Sequence, residues 1–153
     1  MKWFCWLGVL VALAALVPAP AGGQGKTTEG DKFDPAKLAG TWKFVSGVKN
    51  GEKLGEEQLK NQTVTITKDK LTLKTPDATF VMKFELDTKK SPVGIKLEIT
   101  EGPVGVGSKS PGIIELKGDD LKICYAPMDS EAPKTFEAKE GSKLHLFTLK
   151  RSK

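Results

Sequence analysis

The side chains best suited to covalent or acid–base chemistry in this chain are Cys124 and His145, the only histidine. A cysteine attacks a substrate only as the thiolate, which forms when a cation or a base lies beside it. Lys122 falls on the same strand face as Cys124, but no histidine or acidic motif accompanies the pair. We therefore predict an inert thiol on the outward side of its strand, shielded by a neighbouring side chain or a covered face.

His145 could serve as a general base or as a metal ligand, but the sequence gives it no companions. A structural zinc site takes about four ligands, mostly Cys and His. Beside His145 the chain offers only Cys5 and Cys124, far away in sequence. We predict no metal site, and a histidine on a strand face whose ring is hydrogen-bonded.

The glycine-rich stretch Gly102–Gly112 superficially resembles a phosphate-binding loop. One serine separates Gly107 from Lys109, so the spacing is wrong by one residue, and no helix pattern follows. The acidic residues either alternate to the solvent side of a strand or, like Asp119, follow a glycine in a turn. The sequence therefore predicts no catalytic residue, no cofactor and no enzymatic activity.

The segments that must position these residues are short and alternate apolar with polar side chains. Counting gives about eight or nine strands with short connections and no long helix. This pattern favours an all-β fold, an antiparallel up-and-down barrel of about eight strands, with a two-layer sandwich as the alternative. Asn50-Gly51 is a strong hairpin signal. Asp34 and Pro35 favour a short N-terminal helical turn that stops at Gly40.

Alternation also predicts which side chains point into the barrel. In the first strand, Phe44, Ser46 and Val48 should share the face of Trp42. A further short strand is expected at Phe136 and Ala138. The inward side chains best placed to touch a ligand are six large apolar or aromatic ones: Phe44, Phe80, Met82, Phe84, Leu97 and Tyr125.

Residues 1–21 have the three-part layout of a secretory signal peptide, with a charged start, an apolar run and a small-residue end. The run is shorter than the ~20 residues of a spanning helix, so an uncleaved anchor is the lesser alternative. Residues 22–34 have almost nothing to bury and read as a flexible linker before a domain at 35–153. We expect an exported monomer, periplasmic, in the cell envelope or extracellular, without stable membrane insertion after cleavage.

The charge of the chain excludes one class of partner. Its formal net charge is +5, and lysines alternate with Asp and Glu along the sequence. Because no basic block of the nucleic-acid type is present, we expect no nucleic-acid partner.

Gly40-Thr41-Trp42 near the start of the domain and Arg151 near its end bracket the strands. The ordered set of strings resembles a family of exported lipocalin-like domains best known from planctomycete bacteria, over 35–153. The resemblance implies a barrel in which Gly40, Trp42 and Arg151 close one end, and it implies no established activity or ligand. The strings that carry it are Leu38–Lys43, Asn50–Lys53, Ile99–Pro103, Gly112–Leu116, Leu121–Pro127 and Leu149–Arg151.

An almost wholly apolar interior suggests an exported, non-enzymatic binding module for a small hydrophobic ligand inside the barrel. A barrel of about eight strands can instead be filled by its own side chains. In that case the protein would be a structural or protein-interaction module of the cell envelope. The volume of any interior cavity distinguishes the two hypotheses.

Overall fold

The computed structural model describes residues 32–128 and 130–153. The predicted signal peptide and all but the end of the predicted linker lie outside the described residues. Within the described part, a 3₁₀ turn (Pro35–Leu38) precedes the first strand, and a short helix α1 (Glu56–Lys60) follows the second. The strands are β1 (Gly40–Lys49), β2 (Glu52–Lys53), β3 (Thr63–Ile66), β4 (Lys70–Lys74), β5 (Thr79–Asp87), β6 (Val93–Glu101), β7 (Lys109–Lys117), β8 (Asp120–Tyr125) and β9 (His145–Arg151).

These strands form an antiparallel up-and-down barrel. Each strand from β3 to β8 pairs with the next strand along the chain, and β1 pairs with β3. The last strand, β9, also pairs with β1 and closes the barrel. Closure leaves eight strands in the barrel, and β2 is a two-residue extension beside the end of β1. Asn50 and Gly51 join β1 to β2 with φ of 51° and 86°, as a type I′ hairpin turn requires. The predicted all-β, lipocalin-like barrel fold is confirmed.

The inward side chains of alternating strand positions pack into one apolar core. The predicted helical turn is present as the 3₁₀ turn, with the Asp34 carboxylate accepting from the Ala36 N–H at 2.9 Å. Phe33, at the end of the predicted linker, also packs against the core. The fully or nearly buried core members are Leu38, Trp42, Val64, Ile66, Leu71, Ile95, Leu97, Ile114, Leu121, Ile123, Phe147 and Leu149.

A β-bulge in β1 overturns the predicted face of its second half. The register against β9 shifts between Phe44 and Ser46, so one extra residue reverses the alternation beyond that point. Gly47 pairs with Phe147 and is buried, whereas Val48 pairs with Leu146 on the outer face. The prediction that Ser46 and Val48 share the inward face of Trp42 is therefore wrong.

The segment between β8 and β9 also differs from expectation. It contains no strand in its described residues, so the predicted strand at Phe136 and Ala138 is wrong. The segment instead runs over the outer face of β8, where the Glu137 carbonyl oxygen lies 4.0 Å from the sulfur of Cys124. Phe136 is half-buried within this covering segment rather than part of the barrel wall.

Candidate functional site

One end of the barrel is closed around Trp42. Its indole is fully buried, and its N–H donates to the Leu38 carbonyl at 2.9 Å, which ties the 3₁₀ turn across the barrel end. The Arg151 guanidinium carbon lies 4.3 Å from the centre of the indole. A cation at this distance from an aromatic face is attracted by the ring quadrupole.

Arg151 also holds the backbone of the turn. Its guanidinium donates to the carbonyl of Ala39 at 2.9 Å and to the carbonyl of Lys37, and its Nε lies 3.4 Å from the Asp119 carboxylate. A side chain at Gly40 would meet this group, since a Cβ there would lie 2.7 Å from an Arg151 nitrogen. The three residues that the resemblance implied as barrel-closing thus lie together at this end.

The opposite half of the barrel contains an apolar cavity of about 140 Å³ that opens to solvent. Four of the six predicted ligand contacts line it: Phe44, Met82, Leu97 and Tyr125. The other lining residues are Lys49, Val64, Leu71, Leu73, Ile99, Ser110, Ile123, Phe147 and Leu149.

The remaining two predicted contacts, Phe80 and Phe84, do not line this cavity. Phe80 is half-buried next to a bulge at Val81/Met82, and its ring lies against Gly102 at the rim. Phe84 packs against the core cluster but borders a groove on the outside of the barrel. The two rings lie away from the cavity because of their positions along β5, which alternation does not fix.

Sequence reasoning missed two polar members of the wall, Lys49 and Ser110. Lys49 turns inward because of the bulge in β1, where it pairs with His145 of β9. The available signal was Gly47, because a glycine inside a strand pattern often marks a bulge. A Cβ at this position would lie 2.9 Å from the Phe147 ring and 3.0 Å from Leu54, so only glycine fits without a shift.

Aromatic rings surround the open end of the cavity. Tyr125 and His145 stack with centroids 5.1 Å apart and an interplanar angle of 8°. Phe147 contacts both Tyr125, at 6.1 Å, and Phe44, edge to face at 5.3 Å. Such pairs stabilise the wall beyond their buried area, by about 0.5–1.5 kcal/mol each. These ring contacts therefore stabilise the side-chain positions at the open end of the barrel.

The His145 ring is held by stacking, not by a hydrogen bond at its buried nitrogen. Its Nδ1 atom is buried and has no partner among the described residues, so the expected hydrogen-bonded ring is wrong at this atom. Burial, and then the charge of Lys49, lower the histidine pKa from its ordinary value of 6.5. Burial likewise raises the pKa of Tyr125 to about 12.

The β6–β7 loop lies at the same end. Gly105 and Gly107 have positive φ, and the Gly107 N–H donates to the Ile99 carbonyl at 2.7 Å, so the loop folds back on β6. Strand β7, not a helix, follows this loop directly. The loop therefore lacks the helix N-terminus that binds phosphate in a phosphate-binding loop. Val104 and Val106 are 67% and 60% exposed at this loop.

Cys124 has no access to solvent. Its side chain is 0% exposed, and burial raises the thiol pKa to about 11, against the weaker lowering effect of a hydrogen bond to the Glu137 carbonyl. The expectation of a covered thiol is confirmed, and the cover is the segment between β8 and β9. Within residues 32–128 and 130–153, no three His, Cys, Asp or Glu side chains group closely enough to hold a metal ion.

A larger depression of about 520 Å³ lies on the outer surface of β5, β6 and β7. Opposite charges face each other across its strands, with Lys83 paired to Glu98 and Glu85 to Lys96. Lys109 adds an exposed ion pair with Glu98 at 3.8 Å. Because lysines and acidic residues line this depression in equal number, whereas mainly apolar side chains line the smaller cavity, the smaller cavity is the better candidate site for an apolar molecule.

Comparisons with protein-family models, curated proteins and solved structures find no match for this chain. The fold and the site alone define the class of the protein. It is an eight-stranded antiparallel barrel that is closed at the Trp42 end and has an apolar cavity at the other end. Membership of the planctomycete family stays a prediction from the sequence. No helix in the described part of the chain is both long and apolar enough to cross a membrane.

Proposed function

We propose that the protein is a non-enzymatic binding module that takes a small apolar molecule into the open end of its barrel. The observation that carries this proposal is the cavity of about 140 Å³, whose wall is apolar apart from Lys49, Ser110 and the Tyr125 hydroxyl. A filled barrel, as the structural or protein-interaction alternative requires, would leave no such volume. Export as a monomer and membership of the exported lipocalin-like family are parts of the same proposal, supported by the sequence.

The volume of the cavity limits the size of the ligand that it can hold. An engineered cavity of roughly 150 Å³ lined by Leu, Ile and Phe stays dry and binds benzene. The buried part of a ligand here is accordingly a single ring or a chain of about six carbons. At about 0.8 kcal/mol per buried methylene, six carbons contribute roughly 4–5 kcal/mol, which corresponds to a Kd on the order of 1 mM.

The surroundings of Cys124 and His145 disfavour catalysis. Cys124 is covered and largely protonated at neutral pH, since its pKa is raised to about 11. His145 stacks on Tyr125, and among the described residues no carboxylate accepts from its buried nitrogen. A nucleophile, a base and an orienting group therefore do not converge, which supports binding rather than reaction.

The test is a chemical-shift titration of the protein with hexan-1-ol. We expect saturable shifts that are lost in Val64→Phe, which fills the cavity from β3. Val45→Phe makes the same change at a position 57% exposed on the outer face of β1, and it should bind as the unmodified protein does. Leu73→Phe, at a half-buried position of the cavity wall, is a second filling variant with less risk of overpacking.

Two results would contradict the proposal. One is the absence of saturable shifts in a protein whose circular dichroism shows it to be folded. The other is equal binding by Val45→Phe and by a folded Val64→Phe or Leu73→Phe, because the ligand would then lie outside the cavity.

A further inference from the structure

Among the described residues, Lys49 is the only charged side chain that lines the cavity. The bulge between Phe44 and Ser46 aims it there, since unbroken alternation would have put position 49 outside the barrel. Bulges re-aim individual side chains in this way and are common beside functional sites. Lys49 is solvent-exposed at the mouth of the barrel while lining the cavity, so its ammonium can meet the polar end of a molecule held inside.

Lys49 lacks the partner that several other lysines have. Lys90, Lys109, Lys117 and Lys139 each lie within 3.8 Å of a carboxylate oxygen. No acidic side chain among residues 32–128 and 130–153 lies within ion-pair distance of Lys49. Its register partner is His145, a group whose charged form it opposes rather than one that neutralises it.

The other polar groups of the cavity wall are hydrogen-bond donors, which can bind an anion. Ser110 and Tyr125 carry hydroxyl groups that can donate a hydrogen bond, and no carboxylate from the described part of the chain lines the cavity to repel a negative charge. The rest of the wall is apolar. The site thus combines an apolar interior with one positive charge and two possible donors.

We propose that the ligand is amphipathic, with an apolar body of about six carbons in the barrel and an anionic head group held by the Lys49 ammonium. This inference rests on the proposed function and specifies its ligand class. Short-chain or monocyclic carboxylates have the required chemistry. An ammonium next to an apolar wall favours a carboxylate over a hydroxyl because the charge-assisted hydrogen bond is the stronger one.

The experiment compares hexanoate with hexan-1-ol, two probes with the same chain length, by chemical-shift titration of the whole protein at pH 7.5. We expect hexanoate to bind about tenfold more tightly. Lys49→Met should remove that preference, because the carboxylate would then lose hydration without gaining a counter-ion. Lys43→Met is the matched control, since Lys43 lies exposed on the outer face of the same strand, and it should keep the preference. Lys49→Arg should retain most of it.

A titration of the unmodified protein at increasing ionic strength also tests whether the preference for hexanoate is electrostatic. The hexanoate preference should fall towards one as ionic strength approaches 1 M, where the Debye length is about 3 Å, while hexan-1-ol binding stays constant. The resonances of His145, the only histidine, should shift more with hexanoate than with hexan-1-ol, because the head group sits beside its register partner.

The outcomes separate this inference from the function on which it rests. Equal binding of both probes, or a preference that survives Lys49→Met, would overturn the anionic head group and leave the binding module intact. If neither probe binds, the proposed function and the inference fail together. Loss of the preference in Lys43→Met as well as Lys49→Met would also overturn it, by showing that only the general surface charge matters.

Discussion

Truncating Trp42 should destabilise the protein more than any other single aromatic truncation. The indole is fully buried, donates to the Leu38 carbonyl at 2.9 Å and lies 4.3 Å beneath the Arg151 guanidinium. Replacing a buried Trp with Ala costs about 3–5 kcal/mol through lost transfer energy and the cavity left behind. That loss is a large part of the 5–15 kcal/mol by which a typical domain is stable.

The contacts of Trp42 also predict how intermediate substitutions behave. Trp42→Phe keeps an aromatic ring but leaves the Leu38 carbonyl without its donor, at a cost of about 1–3 kcal/mol. Arg151→Lys keeps the charge but loses planar stacking and the paired donation to Ala39 and Lys37, so its cost should be smaller than that of Trp42→Ala. Phe80→Ala, at the rim, is the control for removing an aromatic ring elsewhere.

Urea denaturation followed by far-ultraviolet circular dichroism measures these differences without depending on tryptophan fluorescence. With a slope of about 2 kcal/mol per molar urea, Trp42→Ala should lower the midpoint by roughly 2 M. A midpoint close to that of the unmodified protein would refute the account of the closed end. So would a loss in Phe80→Ala equal to that in Trp42→Ala.

Three further predictions concern the thiol, the histidine and the N-terminus. Cys124 should react with a thiol reagent far more slowly than a small free thiol, and Cys124→Ser should leave ligand binding unchanged; rapid labelling of the folded protein would overturn the burial argument. Because the folded protein holds the His145 pKa below 6.5, the unfolded state binds the extra proton first, so stability should fall as pH drops below about 6.5. His145→Phe, which keeps the stack on Tyr125, should show a weaker fall in the free energy of unfolding between pH 7 and 5, and an unchanged slope would contradict the assignment. N-terminal sequencing of the exported protein should begin near Gly22, whereas an intact Met1 would show that the leader is retained.

The fold could be predicted because period-two alternation and turn residues act locally. Asn50-Gly51 predicted the β1–β2 hairpin. That the late Arg151 lies over the early Trp42 was implied by the family resemblance, not by alternation. The outward position of Cys124 followed from the same alternation, whereas its cover was expected because an exposed thiol is prone to oxidation. These features depend on which face a side chain takes within one unbroken strand.

Which residues line the cavity was less predictable, because it depends on a bulge and a loop that interrupt the alternation of side chains. The bulge before Gly47 reversed the faces of Val48 and Lys49. It depends on the close approach of Phe147 and Leu54 to Gly47, which the sequence pattern does not specify. Phe136 has an apolar side chain like those of the strands, but its segment packs outside the barrel over Cys124. Whether the interior is filled depends on how the volumes of many side chains add up, which alternation does not specify.

If a small apolar molecule occupies the cavity between the closed end and the mouth, its protons lie next to the methyl groups of the wall. Nuclear Overhauser effects between hexan-1-ol and assigned protein methyl groups detect this proximity. We expect contacts from the hexyl chain to the methyls of Leu97, Ile123 and Leu149, all lost in Val64→Phe and retained in Val45→Phe. Contacts confined to the exposed methyls of Val104 and Val106, or none at all, would contradict binding in the cavity.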